Sequence, residues 1–151
     1  MSLRETVSEN MKQVMKGDAP DRKLRLSTLR MLMSELRNAE IANRGELKPD
    51  DELSVVGREV KRRNEATEEY KKAGREDLAD KEAAEAAILK EFLPEPLDED
   101  ELDEIIDEAI AETDATSIHD VGRVMSLVMP RVKGRADGKV VNTMVMRKLA
   151  E

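Results

Sequence analysis

The sequence predicts an all-α protein, and three observations favour this class. Charged residues make up 40% of the 151 residues, whereas aromatic residues make up 1%. Residues with high helix propensity are abundant, and clusters of β-branched residues are few outside the C-terminal third. Apolar residues recur at helical spacing, with no strand-like alternation and no internal repeat. A chain of this length can form one ordinary domain or two small ones.

The first of seven predicted helices begins at a capping box. Ser2 and Glu5 stand three residues apart, so that each side chain can satisfy a free backbone N–H of the other. Gly17 ends the helix. The positions with helical spacing are Leu3, Val7, Met11, Val14 and Met15. The pattern therefore predicts a short helix that is apolar on one side.

The second helix is predicted to begin within residues 18–21. Pro20 is expected in its first turn, where the missing N–H of proline costs little. The apolar stripe then runs to Gly45. Its members are Leu29, Leu32, Leu36 and Ala39.

Two further helices are predicted before the middle of the chain. The third begins near Pro49 and runs toward Gly74. The fourth spans about residues 76–92, is rich in alanine and closes before Pro94. Together, these four helices form the first predicted unit.

A domain boundary is predicted at Pro94 and Pro96, because two prolines so close together cannot continue a helix. We therefore expect an N-terminal bundle of about four helices over residues 1–94. Residues 95–151 are expected to form a small C-terminal domain of three helices.

Each helix of the C-terminal domain has its own start signal. Asp98 and the acids after it cap the fifth helix, and Ser117 with Asp120 forms a capping box for the sixth. Pro130 is expected to break the sixth helix, and Asp137 to begin the seventh.

The charge of the chain is unevenly distributed. The formal net charge is −8, yet residues 1–94 hold 19 basic and 20 acidic side chains. Residues 95–120 hold 12 acids and no Lys or Arg, and residues 121–151 hold seven bases and two acids. The acidity is thus confined to one block, which the average conceals.

The glycine-hinged turn ahead of the seventh helix is the main candidate binding site. It combines cations, a glycine that can adopt positive φ, and the free N–H groups of a helix N-terminus, which together favour an anion. The candidate residues are Arg131, Lys133, Gly134, Arg135, Asp137, Gly138, Lys139 and Asn142. A structural interpretation stays open, in which Asp137 is an ordinary cap and the cations pair with the acids of residues 95–120.

A second basic stripe lies on the second helix. Lys23, Arg30, Arg37 and Arg44 recur every seven residues, so they project from nearly one side of the helix. A solvated face, with Glu40 beside two of the arginines, is the competing interpretation.

The residues indicate no catalytic, metal or cofactor site. There is no cysteine and one histidine, His119, which capping and packing explain. Sequence motifs for zinc, nucleotide and acyl-transfer chemistry do not occur. No stretch is long and apolar enough for a membrane span or signal peptide, so we expect a cytoplasmic protein that does not associate with membranes.

The basic turn also carries a family resemblance. The run from Val128 to Asn142 resembles the C-terminal motif of the GatB/YqeY family. Four more segments support this likeness, at residues 39–41, 45–47, 72–78 and 91–95. The resemblance covers nearly the whole chain. It implies a two-part helical protein similar to the tail of the B subunit of glutamine-dependent aminoacyl-tRNA amidotransferase, whose tail region engages tRNA.

The resemblance also implies which positions matter and what is absent. The positions that match the family motif are Lys133, Gly134, Arg135, Ala136, Asp137, Gly138 and Asn142. The family carries the label of a carbon–nitrogen ligase with glutamine as amido-N-donor, but the ATP-using catalytic region has no counterpart here. We therefore expect a tRNA-binding or amidotransferase-associated module. The alternative is a protein-interaction module that docks on an aminoacyl-tRNA synthetase or an amidotransferase.

Overall fold

A computed structural model describes all 151 residues and confirms the all-α prediction. The chain forms seven α-helices and one short 3₁₀ helix, with no strand. The α-helices are α1 (Leu3–Lys16), α2 (Arg22–Asn43), α3 (Pro49–Lys72), α4 (Glu76–Lys90), α5 (Glu99–Thr113), α6 (Val121–Val132) and α7 (Gly138–Ala150). The 3₁₀ helix, Ile118–Asp120, leads directly into α6. None of the helices is both long and apolar enough to cross a membrane.

The helices form two compact units, Met1–Leu93 and Pro94–Glu151. We call them the N-terminal unit and the C-terminal unit. The division falls at the two prolines on which the predicted boundary depends. That these units are the predicted domains, over residues 1–94 and 95–151, stays a prediction.

The core of the N-terminal unit is built mainly from leucine and valine. α3 and α4 pack along each other after a turn in which Gly74 has a φ of 73°, while α1 and α4 both pack on α2. The buried members are Val7, Leu29, Leu32, Leu36, Val55, Val56, Val60, Ile88 and Leu89. The predicted apolar stripe of α2 therefore faces this core.

The N-terminal unit also buries an ionic cluster that sequence reasoning missed. Arg63 of α3 is 6% exposed and donates to Glu59 on its own helix and to Glu85 on α4, the latter at 3.3 Å. Glu59 is 4% exposed and Glu85 is 8% exposed. The sulfur of Met31 lies 3.5 Å from an Arg63 nitrogen. The sequence shows only a mixed-charge stretch here, because the partner Glu85 lies 22 residues further along.

The core of the C-terminal unit is built mainly from valine. α6 packs between α5 and α7, and each of the three helices contributes one stripe of apolar side chains to the core. The buried members are Leu102, Ile106, Ala109, Val124, Val128, Val132, Val141, Val145 and Leu149. Short helices with small branched side chains suit a unit of this size.

Three predicted helix boundaries were wrong. Pro130 does not break α6, which continues to Val132, whose side chain is fully buried in the core. Pro20 lies in the turn before α2 rather than in its first helical turn. α2 ends at Asn43, and its C-cap is Arg44, which adopts φ 59° and donates its backbone N–H to the Glu40 and Ile41 carbonyls. Arg44 thus takes the terminating role expected of the glycine after it.

Candidate nucleic-acid interface

The predicted basic turn connects α6 and α7 and has the expected backbone bend. Gly134 adopts φ 77°, in the left-handed region where glycine is preferred. The turn is closed by the N–H groups of Arg135 and Ala136, which donate to the Val132 carbonyl at 2.8 and 3.1 Å. The eight candidate residues therefore lie together on the last turn of α6, this bend and the first turns of α7.

Two of the four cations of the turn pair with the acidic helix α5. Arg131 contacts Glu112 at 3.1 Å and Glu108 at 3.6 Å, and its side chain is 35% exposed. Arg135 lies 3.9 Å from Glu101 and donates from Nε to the Glu95 carbonyl at 2.9 Å. For these two residues the structural interpretation holds, because they tie the turn to α5.

Arg135 also helps to position the segment that enters α5. Its carbonyl accepts the N–H of Leu97 at 2.9 Å, so both backbone and side chain contact the chain around Pro96. The neighbouring Asp98 carboxylate raises the pKa of Glu101, while Arg135 acts in the opposite direction. Arg135 is thus partly a structural residue.

The other two cations of the turn have no acidic partner. Neither Lys133 nor Lys139 lies within 4.0 Å of a carboxylate, and Lys139 is exposed. Asn142 is half-buried, and its side chain makes no hydrogen bond within the chain. These three side chains are available to an external ligand.

The N-terminus of α7 is occupied by the protein itself. The Asp137 carboxylate accepts the N–H of Lys139 at 2.8 Å, which makes Asp137 the N-cap that the sequence indicated. Gly138 begins the helix, with the Met129 methyl group 3.6 Å from where a Cβ would stand. Because a carboxylate already caps these N–H groups, an anion at the turn would be bound mainly by side chains.

The exposed side of α7 carries one cation that sequence reasoning missed. Arg147 is exposed and forms no ion pair, and it follows Lys139 and Thr143 at intervals of four residues. That spacing was the available signal for a shared helix side. The next residue, Lys148, instead contacts Asp103 at 2.7 Å and Asp107 at 2.8 Å, which raises its pKa.

The stripe on α2 lies on a solvated face, which its competing interpretation also expects, but Glu40 does not pair with it. Lys23, Arg30, Arg37 and Arg44 are all exposed, and none of them forms an ion pair. Glu40, which the sequence placed beside two of the arginines, contacts Arg4 of α1 at 2.6 Å instead. The four cations thus have no acidic partner within the chain.

The structure brings together no other group with recognisable chemistry. His119 is exposed, and its backbone N–H donates to the Ser117 hydroxyl at 3.3 Å within the predicted capping box. No group of three or more His, Asp or Glu side chains is arranged to hold a metal ion. A cavity of about 550 Å³ lies in the N-terminal unit and is lined largely by polar residues of α1 and α2.

The fold and the turn define a class of two-unit helical proteins with a basic, glycine-hinged connection before the last helix. The sequence matches the family described as YqeY-like protein over residues 4–149. The chain therefore belongs to the YqeY-like family, which confirms the resemblance drawn from the sequence.

Three relatives show the range of proteins that are similar to this chain. An uncharacterised protein of Schizosaccharomyces pombe is 38% identical over 69 residues, which cover 46% of this chain and 56% of the relative. Altered inheritance of mitochondria protein 41 of Pyrenophora tritici-repentis is 30% identical over 128 residues, covering 83% of this chain and 68% of the relative. Its name includes the word mitochondrial, so the cytoplasmic location of this chain stays a prediction.

The third relative is one subunit of an amidotransferase. This subunit of the glutamyl-tRNA(Gln) amidotransferase of Thermococcus gammatolerans is 32% identical over 90 residues. These residues cover 57% of this chain but only 14% of the relative. The likeness therefore concerns one small segment of a much longer protein.

Proposed function

We propose that this protein binds tRNA through the basic turn and the exposed side of α7. One observation carries the proposal: Lys133 and Lys139 flank the bend at Gly134 with no carboxylate within 4.0 Å, in a chain whose net charge is −8. Arg147 extends the same basic surface along α7. Long, unpaired cations of this kind contact phosphate groups of a nucleic-acid backbone.

One of the three relatives supports tRNA as the ligand class. It is named as part of a glutamyl-tRNA(Gln) amidotransferase, and it shares 32% identity with this chain over 90 residues. With one Tyr, one Phe and no Trp, the chain has almost no side chains on which bases can stack. Recognition would therefore depend on the backbone and shape of a folded RNA.

We expect Arg131 and Arg135 to contribute to RNA binding after they exchange their carboxylate partners on α5 for RNA phosphates. Both side chains are more than one third exposed, and exposed ion pairs contribute only about 0–1 kcal/mol each. A phosphate that approaches the turn can compete for such guanidinium groups at little cost. The pairs with α5 therefore weaken the binding of an RNA by these two residues without preventing it.

A second candidate function rests on α5 itself. This helix presents exposed acids that no cation of the chain contacts. They are Glu99, Asp100 and Glu104, with Asp114 at the C-cap. A basic surface on an aminoacyl-tRNA synthetase or amidotransferase subunit would complement them, and the charges would then govern partner choice and association rate.

The test compares two double variants with equal loss of charge. We expect K133Q/K139Q to bind unfractionated tRNA more weakly and to reduce the slope of log K against log salt by about two. The matched control, K81Q/K90Q, removes two exposed, unpaired lysines of α4 and should retain the wild-type slope.

Two results would contradict the proposal. Equal slopes of log K against log salt for K133Q/K139Q and K81Q/K90Q would show that the turn makes no phosphate contact. A protein partner that remains bound after nuclease treatment, together with unchanged tRNA affinity of K133Q/K139Q, would favour the protein-interaction function instead.

A further inference from the structure

We propose that the exposed face of α2 is a second surface for the RNA backbone, separate from the basic turn. It is formed by Lys23, Arg30, Arg37 and Arg44, which we call the α2 ridge. The ridge belongs to the N-terminal unit, whereas the turn belongs to the C-terminal unit. This inference shares the RNA ligand with the proposed function, but it depends on different residues.

The geometry of α2 places these cations in a row. Each step of seven residues advances about 10.5 Å along the axis and turns the side chain by only about 20°. Lys23, Arg30 and Arg37 lie within the helix, and Arg44 follows at its C-terminal cap. The row is therefore about 30 Å long and nearly straight, which matches the extended charge of a nucleic-acid helix.

The acids nearest to the ridge are held by other cations. Asp21, before the helix, lies 3.5 Å from Arg25, which also contacts Glu91 at 2.8 Å. Glu40 contacts Arg4 at 2.6 Å. The chain thus supplies separate partners for these acids and leaves the four ridge cations unpaired.

The remaining acids near the ridge lie at its margins. Glu35 is about 140° around the helix from Arg30 and faces away from the row. Arg37 borders the cavity against α1, whose rim also carries Glu5, Glu9, Glu46 and Glu52, but none of these carboxylates comes within 4.0 Å of it. These acids weaken the local positive potential around Arg37 without neutralising it.

Polar side chains between the cations suit the same ligand. Ser34 is exposed within the row and Asn38 is exposed at its edge, about 80° around the helix from Arg30, and neither side chain forms a hydrogen bond within the chain. Ser and Asn side chains join Arg and Lys in contacts with phosphate and sugar. The ridge therefore offers both charge and neutral donors.

An anionic membrane is the main competing partner for a basic helix face. A helix that lies on a membrane needs a broad apolar side, with several large apolar residues next to its cations. On this face Ile41 is 74% exposed within the row and Met31 is 47% exposed at its edge. Two isolated side chains do not form such a side, so the composition favours RNA.

The experiment again compares variants with equal loss of charge. We expect K23Q/R30Q/R37Q to weaken binding of unfractionated tRNA by about tenfold or more at about 50 mM salt, and to lower the salt slope by about three. The control K61Q/K81Q/K90Q removes three exposed, unpaired lysines of α3 and α4 and should retain nearly the wild-type slope. Circular dichroism confirms that both variants fold.

A photo-crosslinking residue gives an independent readout. At Ser34, between Arg30 and Arg37, it should crosslink to the tRNA, whereas at the exposed Asn64 of α3 it should not. Equal slopes for the ridge and control variants, or equal crosslinking at both sites, would overturn the proposal. So would a ridge variant that loses binding to phosphatidylserine vesicles but retains tRNA affinity.

The outcomes for the two surfaces remain distinguishable. If K133Q/K139Q binds tRNA normally while K23Q/R30Q/R37Q does not, the ridge is an RNA surface and the function proposed for the turn is wrong. The reverse pattern would retain the turn and reject the ridge.

Discussion

The two units of this protein differ in which charged side chains they bury and which they pair at the surface. The N-terminal unit buries one ionic cluster around Arg63 and leaves the cations of the α2 ridge free in solvent. The C-terminal unit buries no charged residue, and it pairs Arg131, Arg135 and Lys148 with the acids of α5 at its surface. Nearly balanced charge in the first unit therefore conceals a free basic surface, while the second unit partly masks its excess of cations.

The buried charges of the N-terminal unit and the exposed ion pairs of the C-terminal unit contribute very different amounts to stability. Removing a buried arginine, or removing its acidic partners, costs several kcal/mol of folding free energy, because the buried charges that remain are uncompensated. Exposed pairs contribute about 0–1 kcal/mol each and can be exchanged for an external ligand. We therefore expect charge substitutions in the buried Arg63 cluster to affect folding, and substitutions of the exposed, unpaired cations of either unit to affect mainly binding.

Removal of Arg63 should give the largest effect of any single charge substitution. Arg63→Ala leaves Glu85 buried without a counterion and Glu59 with only the exposed Arg62, so we expect a loss of about 3–5 kcal/mol in the free energy of unfolding. Urea denaturation followed by circular dichroism measures this loss.

Its neighbour Arg62 provides the matched control. The Arg62 side chain is 66% exposed and lies 3.3 Å from the same Glu59, so Arg62→Ala should cost about 0–1 kcal/mol. Similar losses for both variants would show that burial does not distinguish the two arginines. An R63M/E59L/E85L variant should recover most of the stability, because it removes the buried charges together with their desolvation cost.

A smaller effect is expected at the capping box before α6. Asp120 accepts the N–H groups of Thr116 and Ser117 at 2.9 and 3.2 Å and contacts Arg123 at 2.5 Å. These donors, led by the Thr116 N–H, lower the pKa of Asp120 to about 2. The stabilisation is therefore complete above the unfolded pKa near 4 and is lost as pH falls toward about 2.

Thermal unfolding between about pH 2 and pH 5 tests this dependence. Asp120→Asn should lower the Tm at about pH 5 and flatten its decline toward acid, since the variant has no carboxylate to protonate. Asp100→Asn, at an exposed position of α5, is the control and should follow the wild-type profile. An unchanged acid profile of Asp120→Asn would show that the capping contacts do not stabilise the folded state.

Helix positions could be predicted from the sequence because the signals were local. The capping residues Ser2, Asp98 and Asp137 cap the helices that they were expected to begin, whereas Ser117 caps the 3₁₀ helix that leads into α6. Pro130 was judged wrongly because local chemistry opposes a helix there, while burial of Val132 favours its continuation. Tertiary packing overrides helix propensity where burial of a side chain stabilises the core.

The candidate site was harder to predict, because ion pairing depends on residues far apart in the sequence. The four cations of the turn look equivalent in the sequence, but only Arg131 and Arg135 reach α5. Glu40 likewise stands beside the α2 ridge in the sequence, whereas it pairs with Arg4, 36 positions away. Which cations remain free is a property of tertiary packing, so a count of charges cannot decide it.

The smallest expected effect concerns the masking of the basic turn by α5. Glu108 and Glu112 hold Arg131 by exposed contacts, so E108Q/E112Q should release this arginine without unfolding the unit. The exchange is worth at most about 1 kcal/mol, since exposed pairs contribute about 0–1 kcal/mol each. We therefore expect tRNA binding to tighten by up to about fivefold in a filter-binding assay.

A control must separate release of Arg131 from the general loss of negative charge. E104Q/D114N removes two exposed carboxylates of the same region that contact no cation, so it changes the net charge equally and leaves the Arg131 pairs intact. If both variants tighten binding alike, long-range charge explains the gain and α5 does not mask the turn. A gain confined to E108Q/E112Q, and abolished by Arg131→Gln, would identify the α5 pairs as the contacts that tRNA displaces.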